Sequence, residues 1–153
     1  LLTPALRQQL RADHEAAAAL CRKMGTSCKE LREAKEVCWF NKGLSVADLA
    51  TLGKLGSVLP ALEELAICDF SGAAGLDGVQ RLAAGLGAGA LPAVTSISFA
   101  DMHVSDAGAS ALAAALGRGA LPRLKVLKMF NTAISDVSLV ALAPALRRLP
   151  ALE

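Results

Sequence analysis

The chain repeats itself. Leu59-Pro60-Ala61-Leu62 returns as Leu91-Pro92-Ala93-Val94, as Leu121-Pro122-Arg123-Leu124 and as Leu149-Pro150-Ala151-Leu152, at spacings of 32, 30 and 28 residues. A further step of 28 residues back places Leu31, Ala34, Val37 and Trp39 on the same frame as a degenerate first copy. The match is fullest between residues 75–92 and 105–122, where Gly78, Leu82, Leu86, Gly89, Leu91 and Pro92, among others, each recur thirty residues on. A unit of this length is one supersecondary element that cannot cover its own apolar face, so the units must stack on one another.

Inside each copy the apolar period changes from two to about 3.6, which is what a strand handing over to a helix requires. Leu65 and Ile67, Ile97 and Phe99, and Leu127 and Met129 alternate with less apolar neighbours and read as short strands. Helices are expected over residues 46–57, 76–87, 106–117 and 136–147, with Ser45, Ser105 and Ser135 each offering an oxygen to the free amides of a new helix. The second unit is longer, its extra residues falling within Asp69 to Ala74. Ala-rich stretches such as Ala113 to Ala115 let neighbouring helices approach closely, and the stack closes into a curved slab. Composition fits: of 153 residues 54% are apolar, only 3% are aromatic and Tyr is absent, so a single core is built from thin aliphatic layers.

The run from Leu121 to Asp136, with Leu124, Leu127, Met129, Asn131, Ile134 and Ser135 in their places, resembles the leucine-rich repeat of ribonuclease inhibitor. NOD-like receptors and the Ran GTPase-activating proteins share that pattern. The resemblance covers residues 31–153 and implies an α/β fold: a horseshoe-like solenoid with parallel strands on the concave face and helices on the convex face. It divides the chain into a helical cap over residues 1–30 and a repeat domain over 31–153, with repeats starting near 31, 59, 91 and 121 and a truncated fifth at 149. It also implies a ladder residue after each strand that bonds to neighbouring backbone, here Asn41, Asp69, Asp101 and Asn131. Asp departs from the usual Asn or Cys, since an ionised carboxylate accepts but cannot donate, and a looser ladder is expected in the middle.

The first thirty residues do not repeat. Thr3 and Pro4 make a helix start, and Leu6, Leu10, Ala17, Leu20 and Met24 share one side of the helix that follows. A cap over the first core layer is the expected role. Leu20-Cys21-Arg22-Lys23 and Cys28-Lys29-Glu30-Leu31-Arg32 also resemble the last helices of an F-box, without that motif's Leu-Pro opening or a Trp after the Cys-Lys.

No catalytic, cofactor or metal site is expected. The Gly-rich runs 85–89 and 117–119 sit where a helix leaves for the next strand, not where a strand enters a phosphate-binding helix, so they read as helix ends. His14 and His103 lie far from one another in sequence, and the cysteines at 21, 28, 38 and 68 lack the close spacing of zinc or redox sites; they read as reduced thiols. Net charge is +2 from 16 basic and 14 acidic residues well mixed, with Arg22-Lys23 and Arg147-Arg148 as isolated pairs, so neither nucleic acid nor an anionic membrane is an expected partner. No apolar run has the length of a membrane span and no secretory segment opens the chain, which sets a cytoplasmic expectation by default; the first residue is Leu rather than Met, so any targeting signal of a longer protein could lie outside this segment.

What remains is the outward face of the sheet. Alternation puts Glu36, Cys38 and Phe40, then Glu64, Ala66 and Cys68, then Ser96, Ser98 and Ala100, then Val126, Lys128 and Phe130 on that face. The row Phe40, Cys68, Ala100, Phe130 is apolar throughout, with Phe70 and Met102 at its edge. The expected function is non-enzymatic binding of a protein partner, through Glu36, Cys38, Phe40, Glu64, Cys68, Phe70, Met102, Lys128 and Phe130. Packing against a neighbouring domain would use the same row. The family and F-box resemblances add two alternatives, a substrate receptor of a ubiquitin ligase and a Ran-type GTPase activator. Further repeats, or a partner, are expected over the C-terminal end.

Overall fold

The computed structural model describes residues 3–72, 74–75, 77–130, 132 and 134–147. Among them the chain is mixed α/β, with six α-helices and a parallel sheet of four strands whose spatial order follows the sequence. The strands are β1 (Glu36–Phe40), β2 (Glu64–Cys68), β3 (Ser96–Ala100) and β4 (Val126–Phe130). Helices α1 (Pro4–Lys23) and α2 (Cys28–Glu33) precede the sheet, and α3 (Val46–Leu55), α4 (Gly78–Ala84), α5 (Ser105–Gly117) and α6 (Asp136–Arg147) each follow a strand. All four strands fall where alternation put them. The truncated fifth copy and the ladder position Asn131 lie outside the described residues.

Parallel neighbours need a crossover, and α3, α4 and α5 lie in the three that join the four strands. The strands pair residue for residue, so Glu36, Glu64, Ser96 and Val126 share one row and Phe40, Cys68, Ala100 and Phe130 another. Val37, Trp39, Leu65, Ile67, Ile97 and Phe99 turn to the buried side, where they join Leu49, Leu52, Leu82, Leu112 and Leu116 from the helices, and Leu86 just past α4, in one continuous core. Helices α3 to α6 pack each on the next. Before the strands the backbone repeats its bonds as the sequence repeats its letters: the amides of Glu63 and Glu64 donate to the Lys35 carbonyl, those of Thr95 and Ser96 to Glu63, and those of Lys125 and Val126 to Thr95.

Glycine sets the helix spacing at one point. A Cβ at Gly53 in α3 would stand 2.3 Å from the Leu82 carbonyl oxygen of α4, and one at Gly85 would stand 2.9 Å from the Gly53 carbonyl carbon. The two backbones touch because neither residue has a side chain. One unit on, Arg118 reaches back to the end of α4, its Nη2 donating to the carbonyls of Leu86 at 2.9 Å and Ala83 at 3.1 Å. A cation there adds donors to carbonyls at the end of the helix, Ala83 already accepting from the Leu86 amide, and opposes its negative pole.

Between the first two units the joint is a buried carboxylate. Asp69 accepts from the Leu44 amide at 2.9 Å and the Ser71 amide at 2.8 Å. Burial pushes its carboxyl up, but the bonds from Ser71, Leu44 and Gly43 outweigh burial and hold it below the ordinary value. The expectation of a ladder loosened by aspartate is therefore corrected at this position. The turn presents only donors, which suits an acceptor-only side chain, whereas Asn41 is exposed.

Two expected caps form and one does not. Ser45 accepts from the Asp48 amide while Asp48 accepts from the Ser45 amide, a reciprocal capping box. Ser135 Oγ accepts from the Val137 amide and donates to Asp106 of the preceding unit at 2.9 Å. Ser105 instead takes φ +60° as the first residue of α5, and Val104 before it makes no side-chain cap bond. The Val104 amide is satisfied by the Thr132 carbonyl of the next unit at 3.0 Å, so stacking replaces the cap. Helix α4 is shorter than expected, seven residues, and Asp77 before it makes no side-chain cap bond.

Helix α1 covers α3 with only part of its apolar side. Leu20 and Cys21 are buried, and Lys23 Nζ donates to the Gly43 carbonyl at 2.7 Å and pairs with Asp48 at the start of α3. Asp13 pairs with Lys54 at the other end of α3. The ten residues of α3 span about 15 Å, and the twenty of α1 about twice that. Asp13 already stands at the far end of α3, and Leu6 and Leu10 before it are exposed rather than packed on the core.

Candidate functional site

The outward sheet positions divide into an acidic end and an aromatic end. Glu36 and Glu64, both exposed, are directly paired across β1 and β2 at the start of the strands. Four residues along, about 13 Å at the rise of a strand, stand Phe40 and Phe130, exposed by 60% and 58%. Three strand spacings separate those two rings, roughly 14 Å. Cys68 and Ala100 fill the row between them and are partly covered. Exposed Cys38 and Lys128 complete the face.

Phe70, just past the end of β2, is also 60% exposed and meets Phe40 edge to face, with ring centroids 5.8 Å apart and planes at 75°. The positive ring edge of one aromatic against the negative face of another favours this arrangement. Met102 does not join them. It is 5% exposed and belongs to the core. Strand alternation governs side-chain direction only as far as Ala100; beyond it Asp101 turns the backbone at φ +56°, and Met102 sits inside that turn. Of the nine residues singled out from the sequence, the other eight lie at least partly exposed.

Next to Phe70 the segments after β2 and β3 enclose a cleft of about 220 Å³ lined by Asp69, Phe70, Asp101, Met102 and His103 together with Gly72, Ala74 and Gly75. The Cys68 thiol donates to Asp101 Oδ2 at 3.4 Å. Burial and then the Asp101 carboxylate push the Cys68 thiol up, so it stays protonated as a donor. No group of three or more His, Cys, Asp or Glu side chains able to hold a metal occurs among the described residues.

Sequence reasoning missed a second exposed apolar face. Val137, Leu139 and Val140 of α6 are exposed, whereas Val79 of α4 and Ala109 of α5, which share the register of Leu139, are buried under the next helix. The signal was available. Val137, Leu139 and Val140 stand where α5 has Ala107, Ala109 and Ser110.

No protein-family model matches the chain, and no curated protein sequence matches it. Among solved structures it is similar to the actin-binding site 2 of leiomodin-1, with a TM-score of 0.60 at 18% identity over 90% of this chain and 74% of that one. At that identity the likeness is one of fold. No helix among the described residues is long and apolar enough to cross a membrane.

Proposed function

We propose that this chain is a non-enzymatic interaction module of the ribonuclease-inhibitor kind of leucine-rich repeat. In this reading the units stack as an arc, the sheet lines its concave face, and that face grips a protein partner. The observation that carries it is the aromatic end of the sheet: three Phe side chains left more than half exposed on a rigid, hydrogen-bonded scaffold. A folded chain with so few aromatics gains nothing in its own core from placing three of its four Phe residues outside. Covering each on binding contributes about 1.5 to 3 kcal/mol. The repeat spacing near thirty residues and the in-register parallel strands support the arc.

The partner in this reading is a protein. Leiomodin-1's segment carries actin binding in its name, so actin is the first partner to test on this chain. Wild type and the Phe40→Ser, Phe130→Ser double variant would be compared by sedimentation with actin and by pulldown with quantitative mass spectrometry. Loss of two anchors weakens binding by roughly 100-fold or more while leaving the circular dichroism spectrum unchanged, because both rings already face solvent. A partner set and affinities identical in the two proteins would refute the assignment of the face.

A further inference from the structure

Cys21 and Cys28, seven residues apart, are brought together by the turn between α1 and α2, with their sulfur atoms 3.1 Å from one another. That approach is set by the local fold. Gly25 turns the chain at φ +71°, the Thr26 amide donates to the Cys21 carbonyl at 3.0 Å, and the Ser27–Glu30 capping box fixes the start of α2 immediately before Cys28. All four cysteines are free thiols. A disulfide needs the sulfurs only about 1 Å closer than this.

The two thiols differ in a way that orders a reaction. Cys28 is exposed and Cys21 is buried, and both line an open cleft of about 270 Å³ with His14 and Arg32 on its wall. An oxidant therefore enters from solvent, meets Cys28 first and finds Cys21 directly behind it. We propose that Cys21 and Cys28 are an oxidation site, closing to an intrachain disulfide in response to a hydroperoxide.

The chemistry balances in two steps. The Cys28 thiolate attacks the peroxide O–O bond, forming a sulfenic acid and releasing the other oxygen as water or alcohol once protonated. The Cys21 sulfur then attacks the Cys28 sulfur, forms the S–S bond and expels the sulfenic oxygen as water, its own proton leaving with that oxygen. Two thiols are oxidised, one peroxide is reduced. Burial, and then the hydrogen bond with Cys28, push the Cys21 thiol up to about 11. That places Cys21 in the role of resolving thiol rather than first nucleophile. The other two cysteines are not so arranged: Cys38 pairs across the sheet with Ala66, and the Cys68 thiol is engaged by Asp101.

The link would staple the turn beside Lys23, the residue that ties α1 to the start of α3. Its consequence is a first unit that resists peeling away from the core when oxidised and loosens when reduced.

The sequence makes the test direct. Trypsin cuts after Arg11, Arg22, Lys23 and Lys29, so Cys21 and Cys28 leave in separate peptides, 12–22 and 24–29. The folded chain would be titrated with hydrogen peroxide at one equivalent, alkylated and mapped without reduction. The expected result is a fall from four free thiols to two, the two peptides joined and lighter by two hydrogens, and reversal by a dithiol. The Cys38→Ser, Cys68→Ser double variant forms the same link, its free thiols falling from two to none, and Cys28→Ser leaves Cys21 unreacted. Thermal unfolding of the oxidised chain has a higher midpoint than the reduced one. The proposal is overturned by unreacted thiols in the folded chain, by Cys28 reaching the sulfinic acid without the linked peptide, by links formed only between chains, or by an oxidised midpoint below the reduced one.

Discussion

Replacing Gly53 with Ala tests the stacking of the first two units at its closest contact. In an exposed helix interior this change stabilises by about 0.5 to 1 kcal/mol, because the unfolded chain loses freedom. Here the added Cβ would stand 2.3 Å from the Leu82 carbonyl oxygen and about 3 Å from two further backbone atoms of the same residue. Backbone cannot rotate aside as a side-chain tip can, so α4 must move outward and drag Leu82 from its buried position. Overpacking of this kind costs about 1 to 3 kcal/mol, and an immovable neighbour puts it at the upper end. Net destabilisation is then roughly 2 kcal/mol, a fall in melting midpoint of about 4 to 8 °C for a chain of this size. Gly117→Ala is the matched control, since nothing lies within 4 Å of its added Cβ and it ends α5 without positive φ. It should be neutral or slightly stabilising. Urea titrations followed by circular dichroism and by the fluorescence of Trp39, the single Trp, measure both. A Gly53→Ala chain as stable as wild type, with an unchanged dependence on urea, would refute the claim that glycine is required for the approach of α3 and α4.

Asp69→Asn exchanges one acceptor oxygen for a donor facing backbone amides and should cost about 1 to 3 kcal/mol. The folded Asp69 carboxyl titrates below its ordinary value of 3.8, as does that of Asp48, where the Lys23 and Ser45 bonds outweigh the upward push of burial. Their contribution is therefore complete above that ordinary value and is lost as the pH falls through the lower folded one, so wild type should lose urea resistance below about pH 4. Asp69→Asn should show a shallower loss over the same acid range. Arg118→Ala removes the donors to Ala83 and Leu86 and should lower stability by about 1 kcal/mol, with faster amide exchange at the end of α4. Unchanged exchange there would show that solvent serves those carbonyls equally well.

The sequence determined the unit, its strand and helix, and the direction in which each strand side chain points, because periodicity is local: period two and period 3.6 are properties of neighbouring residues. Once four strands recur at nearly equal spacing and each is followed by a helix, parallel in-register pairing follows, and with it the row from Phe40 to Phe130. The same alternation could not place Met102, because it stops at the strand end and a backbone turn at Asp101 decides what comes next. Nor could it reveal how far α1 overhangs α3, since that is a difference between the lengths of two packed elements. Only the tertiary structure set Phe70 against Phe40, seated the Asp69 carboxylate on amides of two turns, and brought Cys28 to Cys21. Each of those depends on where separate pieces of backbone meet, and that is fixed by the joint packing of the whole core.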